Sequence, residues 1–111
     1  MSTVTIQSGG LVTFDPDDIR VVTFDWDQLG LAANVTISTS TWTITAIRQS
    51  GASALTSDNP QILSGSRKTS VRLNATTATV GDEYEVANKI VTNESPSQTK
   101  EQSFRVLIED L

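Results

Sequence analysis

The chain is 111 residues long, enough for one domain with a modest core, and it contains neither Cys nor His. That excludes disulfides, thiol chemistry and Cys-based zinc sites, and removes the usual general base and transition-metal ligand. With 8 Lys plus Arg against 13 Asp plus Glu the net charge is −5, which argues against a free-standing DNA or RNA binder, since phosphate neutralisation needs clustered basic residues.

Two further classes lack support. No apolar run approaches the ~20 residues of a helical membrane span, so no membrane contact is expected. Met1–Ile6 lacks the charged and apolar regions of a secretory signal, so none is expected.

The composition favours strand. Thr occurs 16 times, Ser 13, Val 10 and Ile 8. The β-branched residues among them are stiff at χ1 and fit a pleated, half-buried surface. Apolar residues recur at period two, and no window sustains helical spacing.

In chain order, Val4 and Ile6 alternate with Thr3, Thr5 and Gln7. Residues 1–14 are read as an N-terminal arm or first strand, suited to adding a strand to a neighbour. The remaining 15–111 is read as one sandwich domain. Asp15-Pro-Asp-Asp18 is an acidic turn in which Asp15 caps ahead of Pro16. Arg20–Trp26 is a half-buried strand with Val22, Phe24 and Trp26 on its inner face.

Asp27–Ala33 breaks the alternation, as a helical turn or tight loop with Leu29 as a plug. Asn34–Ile47 resumes it, but Val35 and Ile37 are out of phase with Trp42, Ile44 and Ala46. A strict strand cannot bury both sets, so a bulge or a strand break is expected within Ser38–Thr41.

Arg48–Ser66 reads as one or two short edge strands, with turns at Asp58-Asn-Pro60 and Ser64-Gly-Ser66. Lys68–Ala75 places Val71 and Leu73 inward. Glu83–Thr92 is the clearest strand, with Tyr84, Val86, Asn88 and Ile90 on one face. After the turn cluster Asn93–Gln98, Gln102–Glu109 turns Phe104, Val106 and Ile108 inward and pairs back as a hairpin.

About seven strands and no helix of consequence predict an all-β, immunoglobulin-like sandwich without a disulfide. Gly81-Asp-Glu-Tyr84-Glu-Val86 has the form of the tyrosine corner in such folds, with Val86 where a half-cystine would stand. A plain core aromatic is the other reading of Tyr84. The expected structural core is Phe24, Trp26, Trp42, Tyr84, Val86 and Phe104.

Little here carries chemistry. The acidic cluster lacks the spacing of a calcium loop. Glu83 and Glu85 sit outward on one strand, where nothing raises a pKa. No nucleophile elbow, phosphate loop or dinucleotide fingerprint is present. No catalytic, metal or cofactor residue is assigned, and the chain is not expected to be an enzyme. Asn34, Asn74 and Asn93 open Asn-x-Ser/Thr triplets that a chain so rich in Ser and Thr produces by chance. Trp26 and Trp42 are in phase with Phe24 and Ile44 and are read as core. An exposed Trp would instead indicate a carbohydrate-binding or adhesion module, and a chelator-sensitive domain would indicate calcium.

An ordered set of segments resembles a known family. Asp15-Pro-Asp-Asp18 precedes a strand ending Phe24-Asp25-Trp26; Leu29 and Ser40-Thr-Trp42 follow. Later come Val71-Arg-Leu73, Gly81-Asp-Glu-Tyr84-Glu-Val86-Ala-Asn88 and Ser103-Phe-Arg-Val106. In order and spacing this resembles the small fiber–tail adaptor proteins of tailed bacteriophages, from about residue 15 onward. Gly51–Pro60 reads as an extension of the middle loop, and the final hairpin departs from the family form.

The resemblance implies a non-enzymatic virion protein, assembled in the host cytoplasm, that joins a fiber to neck, tail or portal proteins. It implies several copies in a symmetric ring, with no cofactor and no nucleic-acid contact. Val4, Ile6, Asp15, Pro16, Asp17 and Asp18 are the expected partner interface.

Overall fold

The computed structural model describes residues 3–6, 9–26, 31–50, 55–63 and 65–109. Leu29, the expected plug, lies outside the described residues. Eight strands are present among the described residues: β1 (Thr3–Ile6), β2 (Leu11–Phe14), β3 (Ile19–Asp25), β4 (Ile37–Arg48), β5 (Thr56–Ile62), β6 (Lys68–Asn74), β7 (Glu83–Thr92) and β8 (Thr99–Ile108). They form two four-stranded sheets, ordered β1-β3-β6-β5 and β2-β8-β7-β4, and no helix occurs among the described residues. The fold is an all-β sandwich, because each sheet has one apolar face to bury and the other sheet supplies the cover.

Period-two alternation translates directly into layers. Val22, Phe24, Val71, Leu73, Tyr84, Val86, Ile90, Phe104, Val106 and Ile108 are buried, each on the inward phase of its strand. The aromatic centre is Phe24. Its ring stacks on Trp42 (5.6 Å between centroids), meets Phe104 edge-on (5.7 Å) and lies tilted against Trp26 (6.0 Å). Trp42 is half-buried against this core and Trp26 is fully enclosed.

β4 carries the expected irregularity. Its register against β7 shifts between Ile37 and Thr39, so Ser38 is the extra residue that brings Ile37 and Trp42 to the same side. A second shift falls between Ala46 and Arg48. β7 and β8 pair antiparallel, with Tyr84 opposite Val106 and Val86 opposite Phe104; β8 starts at Thr99, earlier than the alternation indicated.

One expectation needs correction. Asp58-Asn59-Pro60 is not a turn but part of β5. Asp58 pairs with Arg72 and Gln61 with Ser70, so one surplus residue is taken up as a bulge, with Asn59 at φ 52°. An edge strand tolerates this because one side of Pro60 has no ladder to complete. The N-terminal segment, read as an arm or a first strand, pairs within the chain as two short strands. β1 runs parallel to β3 and β2 runs parallel to β8, which accounts for an eighth strand. Gly9, at φ 76°, takes part in the crossing from one sheet to the other, and its amide donates to Ser103 O (2.8 Å). The positive φ there favours a residue without Cβ.

Candidate interaction surface

The polar groups of the described surface gather in turns, ion pairs and strand edges. The acidic turn is a closed hydrogen-bonded unit. Asp18 N donates to Asp15 O (2.9 Å), closing the turn around Pro16. Asp15 Oδ1 accepts from Asp17 N (3.0 Å), and Asp18 Oδ2 accepts from Asp15 N (2.9 Å). These are the local side-chain bonds for which Asp is favoured in turns.

Arg20 answers the charge. Its Nη2 lies 3.5 Å from Asp18 Oδ2 and donates to Thr13 O, while its guanidinium covers the Phe14 ring at 4.1 Å. Asp17 is left exposed at the tip. The turn is anchored to its surroundings by Ala75 N, which donates to Asp18 O (2.9 Å), and by Glu109 N, which donates to Phe14 O (2.9 Å). Among the described residues no three acidic side chains gather to hold a metal ion.

Val4 and Ile6 stand in register with Val22 and Phe24 on β3, at the outer edge of their sheet. The structure thus places the expected interface residues in two regions: strand β1 at one sheet edge, and the acidic turn at one end of the sandwich. Glu83 is held between Arg105 (3.0 Å) and Arg48 (3.7 Å), and Glu85 is exposed. Both carboxylates lie on the outward phase of one strand, and Glu83 is engaged by the two arginines.

Three polar features escaped the sequence reading. Asn88, fully buried, bridges the sheets: its Oδ1 accepts from Trp26 Nε1 (3.1 Å) and Thr69 Oγ1 (2.6 Å). Its Nδ2 donates to Ser40 Oγ (2.9 Å) and Thr41 O (3.2 Å). Trp26 Nε1 also donates to Thr69 Oγ1 at 3.1 Å. This indole, enclosed and bonded within the core, presents no platform for a sugar ring.

Asp82, 1% exposed, accepts through Oδ1 from Ser50 N (3.0 Å) and Ser50 Oγ (2.9 Å), tying the chain after β4 to the start of β7. The Tyr84 hydroxyl reaches its Oδ2 at 3.5 Å and also bonds the Leu55 backbone. Burial, reinforced by the Asp82 charge, raises the Tyr84 pKa. The third feature is Arg67, which donates to the carbonyls of Ala32 (3.0 Å), Leu31 (3.2 Å) and Val35, capping the connection into β4. An inward-phase Asn was a legible sign of the bridge; Arg67 and the Asp82–Ser50 bond gave none, because those partners are 30 or more residues apart.

On the exposed β5–β6 face, Arg72 grips Asp58 with two bonds, Nε to Oδ1 (2.8 Å) and Nη2 to Oδ2 (2.6 Å). These hydrogen bonds hold the Asp58 carboxyl below its ordinary pKa.

Fold and surface together define a class: a small all-β sandwich whose polar groups brace strands and turns. Comparison with known proteins gives the particular family. The family model described as podophage GP4 fiber-tail adaptor protein gp77 matches residues 15–107, and the chain belongs to that family. The match begins at the acidic turn, so β1 and β2 precede it. No curated protein matches the sequence. Among solved structures, the cysteine protease inhibitor EhICP2 from Entamoeba histolytica superposes with a TM-score of 0.55 at 9% identity, covering 96% of this chain and 93% of that one. At that identity the likeness shows the fold alone.

Proposed function

We infer that this chain is a non-catalytic virion component of a tailed phage that joins a fiber to neck, tail or portal proteins by protein–protein contact. The observation that carries the reading is membership of the fiber–tail adaptor family across residues 15–107. The strand order supports an immunoglobulin-like module. β1, β3, β6 and β5 take the places of strands A, B, E and D, and β8, β7 and β4 those of G, F and C, with the N-terminal strand divided between the sheets.

Such a module works by presenting rigid turns and sheet edges in repeated copies around a symmetric ring, after assembly in the host cytoplasm. The acidic turn Asp15–Asp18, braced by Arg20 and held at one end of the sandwich, suits a basic patch on a partner. The β1 edge, with Val4 and Ile6, suits backbone pairing. No cofactor, nucleic acid or membrane has a place in this function.

The test is quantitative mass spectrometry of purified particles, with copy number measured against the portal protein. A fixed ratio matching neck or tail symmetry supports the adaptor, and absence from the particle refutes it. Asp17→Lys reverses a charge that supports no bond in the turn through its side chain. The expectation is reduced incorporation with unchanged thermal stability; undiminished incorporation would remove the acidic turn from the interface.

A further inference from the structure

The four sheet edges are not protected alike. β1 and β2 expose edges of only four residues each. β5 carries Pro60, a bulge and the Asp58–Arg72 ion pair, all of which discourage further pairing. β4 has none of these over most of its length. Among the described residues it is the longest strand, with 12 residues, and it pairs only with β7; β5 comes beside its other edge near Ser40 but makes no ladder with it. Thr39–Ala46 run between its two register shifts without interruption. From Gln28 to Ile47 the sequence contains no charged residue, in a chain of net charge −5. An open, regular and uncharged edge of this length is a template for another strand.

We propose that the β4 edge pairs antiparallel with β4 of a second copy of this chain, joining two sheets into one of eight strands. The pattern is self-complementary about Thr43. Antiparallel pairing on a two-fold axis there sets Thr43 against Thr43, Thr41 against Thr45, Trp42 against Ile44 and Ser40 against Ala46. No like charges meet, so the repulsion between two acidic molecules is least along this edge. Trp42 and Ile44, both half-buried against the core, form an aromatic–β-branched cross-strand pair that extends the core across the junction. Ala46 of the second copy falls opposite Ser40, beside a cleft of about 280 Å³ lined by Ser40, Pro60, Gln61 and Ile62. Pairing stops at two copies because an isologous contact closes on itself and the other edges are short or interrupted. The inference stands independently of the adaptor reading.

The absence of Cys gives a clean background for the test. Directly opposed antiparallel residues have Cβ atoms about 4.5–5.5 Å apart, close to the span of a disulfide. Thr43→Cys, oxidised mildly, is therefore expected to give a disulfide-linked dimer on non-reducing gels. Ser57→Cys, on the exposed β5 edge, is expected to stay monomeric. Wild-type chain is expected to sediment as a dimer, and Thr43→Lys, which opposes two charges at the axis, to associate at least about tenfold more weakly. Circular dichroism of Thr43→Lys checks that the fold is retained, and the side chain is exposed. A wild-type monomer at all concentrations up to about 1 mM, a dimer that a folded Thr43→Lys leaves intact, or a dimer that Thr43→Cys does not cross-link would each overturn the proposal. A monomer would leave the edge for a strand from a different protein.

Discussion

Replacing Asn88 by Ala removes a buried side chain that hydrogen-bonds to both sheets at the core. The carboxamide makes four bonds, to Trp26, Thr69, Ser40 and Thr41. Not all are lost without compensation. Trp26 Nε1 keeps Thr69 Oγ1 as acceptor at 3.1 Å, and Ser40 is only partly buried, so water replaces its partner. The Thr69 hydroxyl, on a fully buried residue, loses its acceptor, and Thr41 O loses a donor. Stranding a buried polar group costs about 1–3 kcal/mol. One hydroxyl left without an acceptor, one weakened carbonyl and a small residual cavity give about 3 kcal/mol in total. For a domain of this size that lowers Tm by roughly 10–20 °C. Urea denaturation followed by tryptophan fluorescence measures the loss directly. A double-mutant cycle with Trp26→Phe should give a coupling of about 1 kcal/mol, because both substitutions disrupt one network. A cost below about 1 kcal/mol with zero coupling would mean that water replaces the bridge at no penalty, and the reasoning would fail.

Arg67→Met should cost about 1–3 kcal/mol, because it leaves the carbonyls of Leu31, Ala32 and Val35 without their shared donor. Hydrogen exchange should accelerate first between Leu31 and Ile37, and uniform acceleration across the domain would contradict a local cap. Asp58 should titrate below an ordinary Asp in NMR, and Arg72→Gln should return it upward. A depressed folded-state pKa means that the pair's stabilisation is present at neutral pH and lost as pH falls through that depressed value. Because the pair is exposed, the associated change in stability should be small and should shrink further in salt.

The acidic turn and the central strands were legible for local reasons. Asp15, Pro16 and Asp18 act through bonds between residues two or three apart, so sequence order already contains the geometry. β3, β6, β7 and β8 announce themselves because successive side chains of an extended chain point to opposite faces. Asp58–Pro60 misled because residues common in turns also build a bulge at an edge, and which occurs depends on whether β6 is there to pair with. Val4 and Ile6 identified a strand but not its partner, since alternation specifies faces and says nothing of neighbours.

The sequence by itself determined the strand class, the inward phase of Phe24, Trp26, Tyr84, Val86 and Phe104, and, through its ordered motifs, the family. All of these rest on local periodicity or on the order of residues along the chain. Tertiary structure decided that the N-terminus divides between two sheets and that Asn88 links Trp26 to Ser40. It also left β4, uncharged as far as Ile47, with an edge that no strand pairs among the described residues. Those properties depend on which segments meet, and contacts between strands tens of residues apart are set by burying two apolar faces against each other.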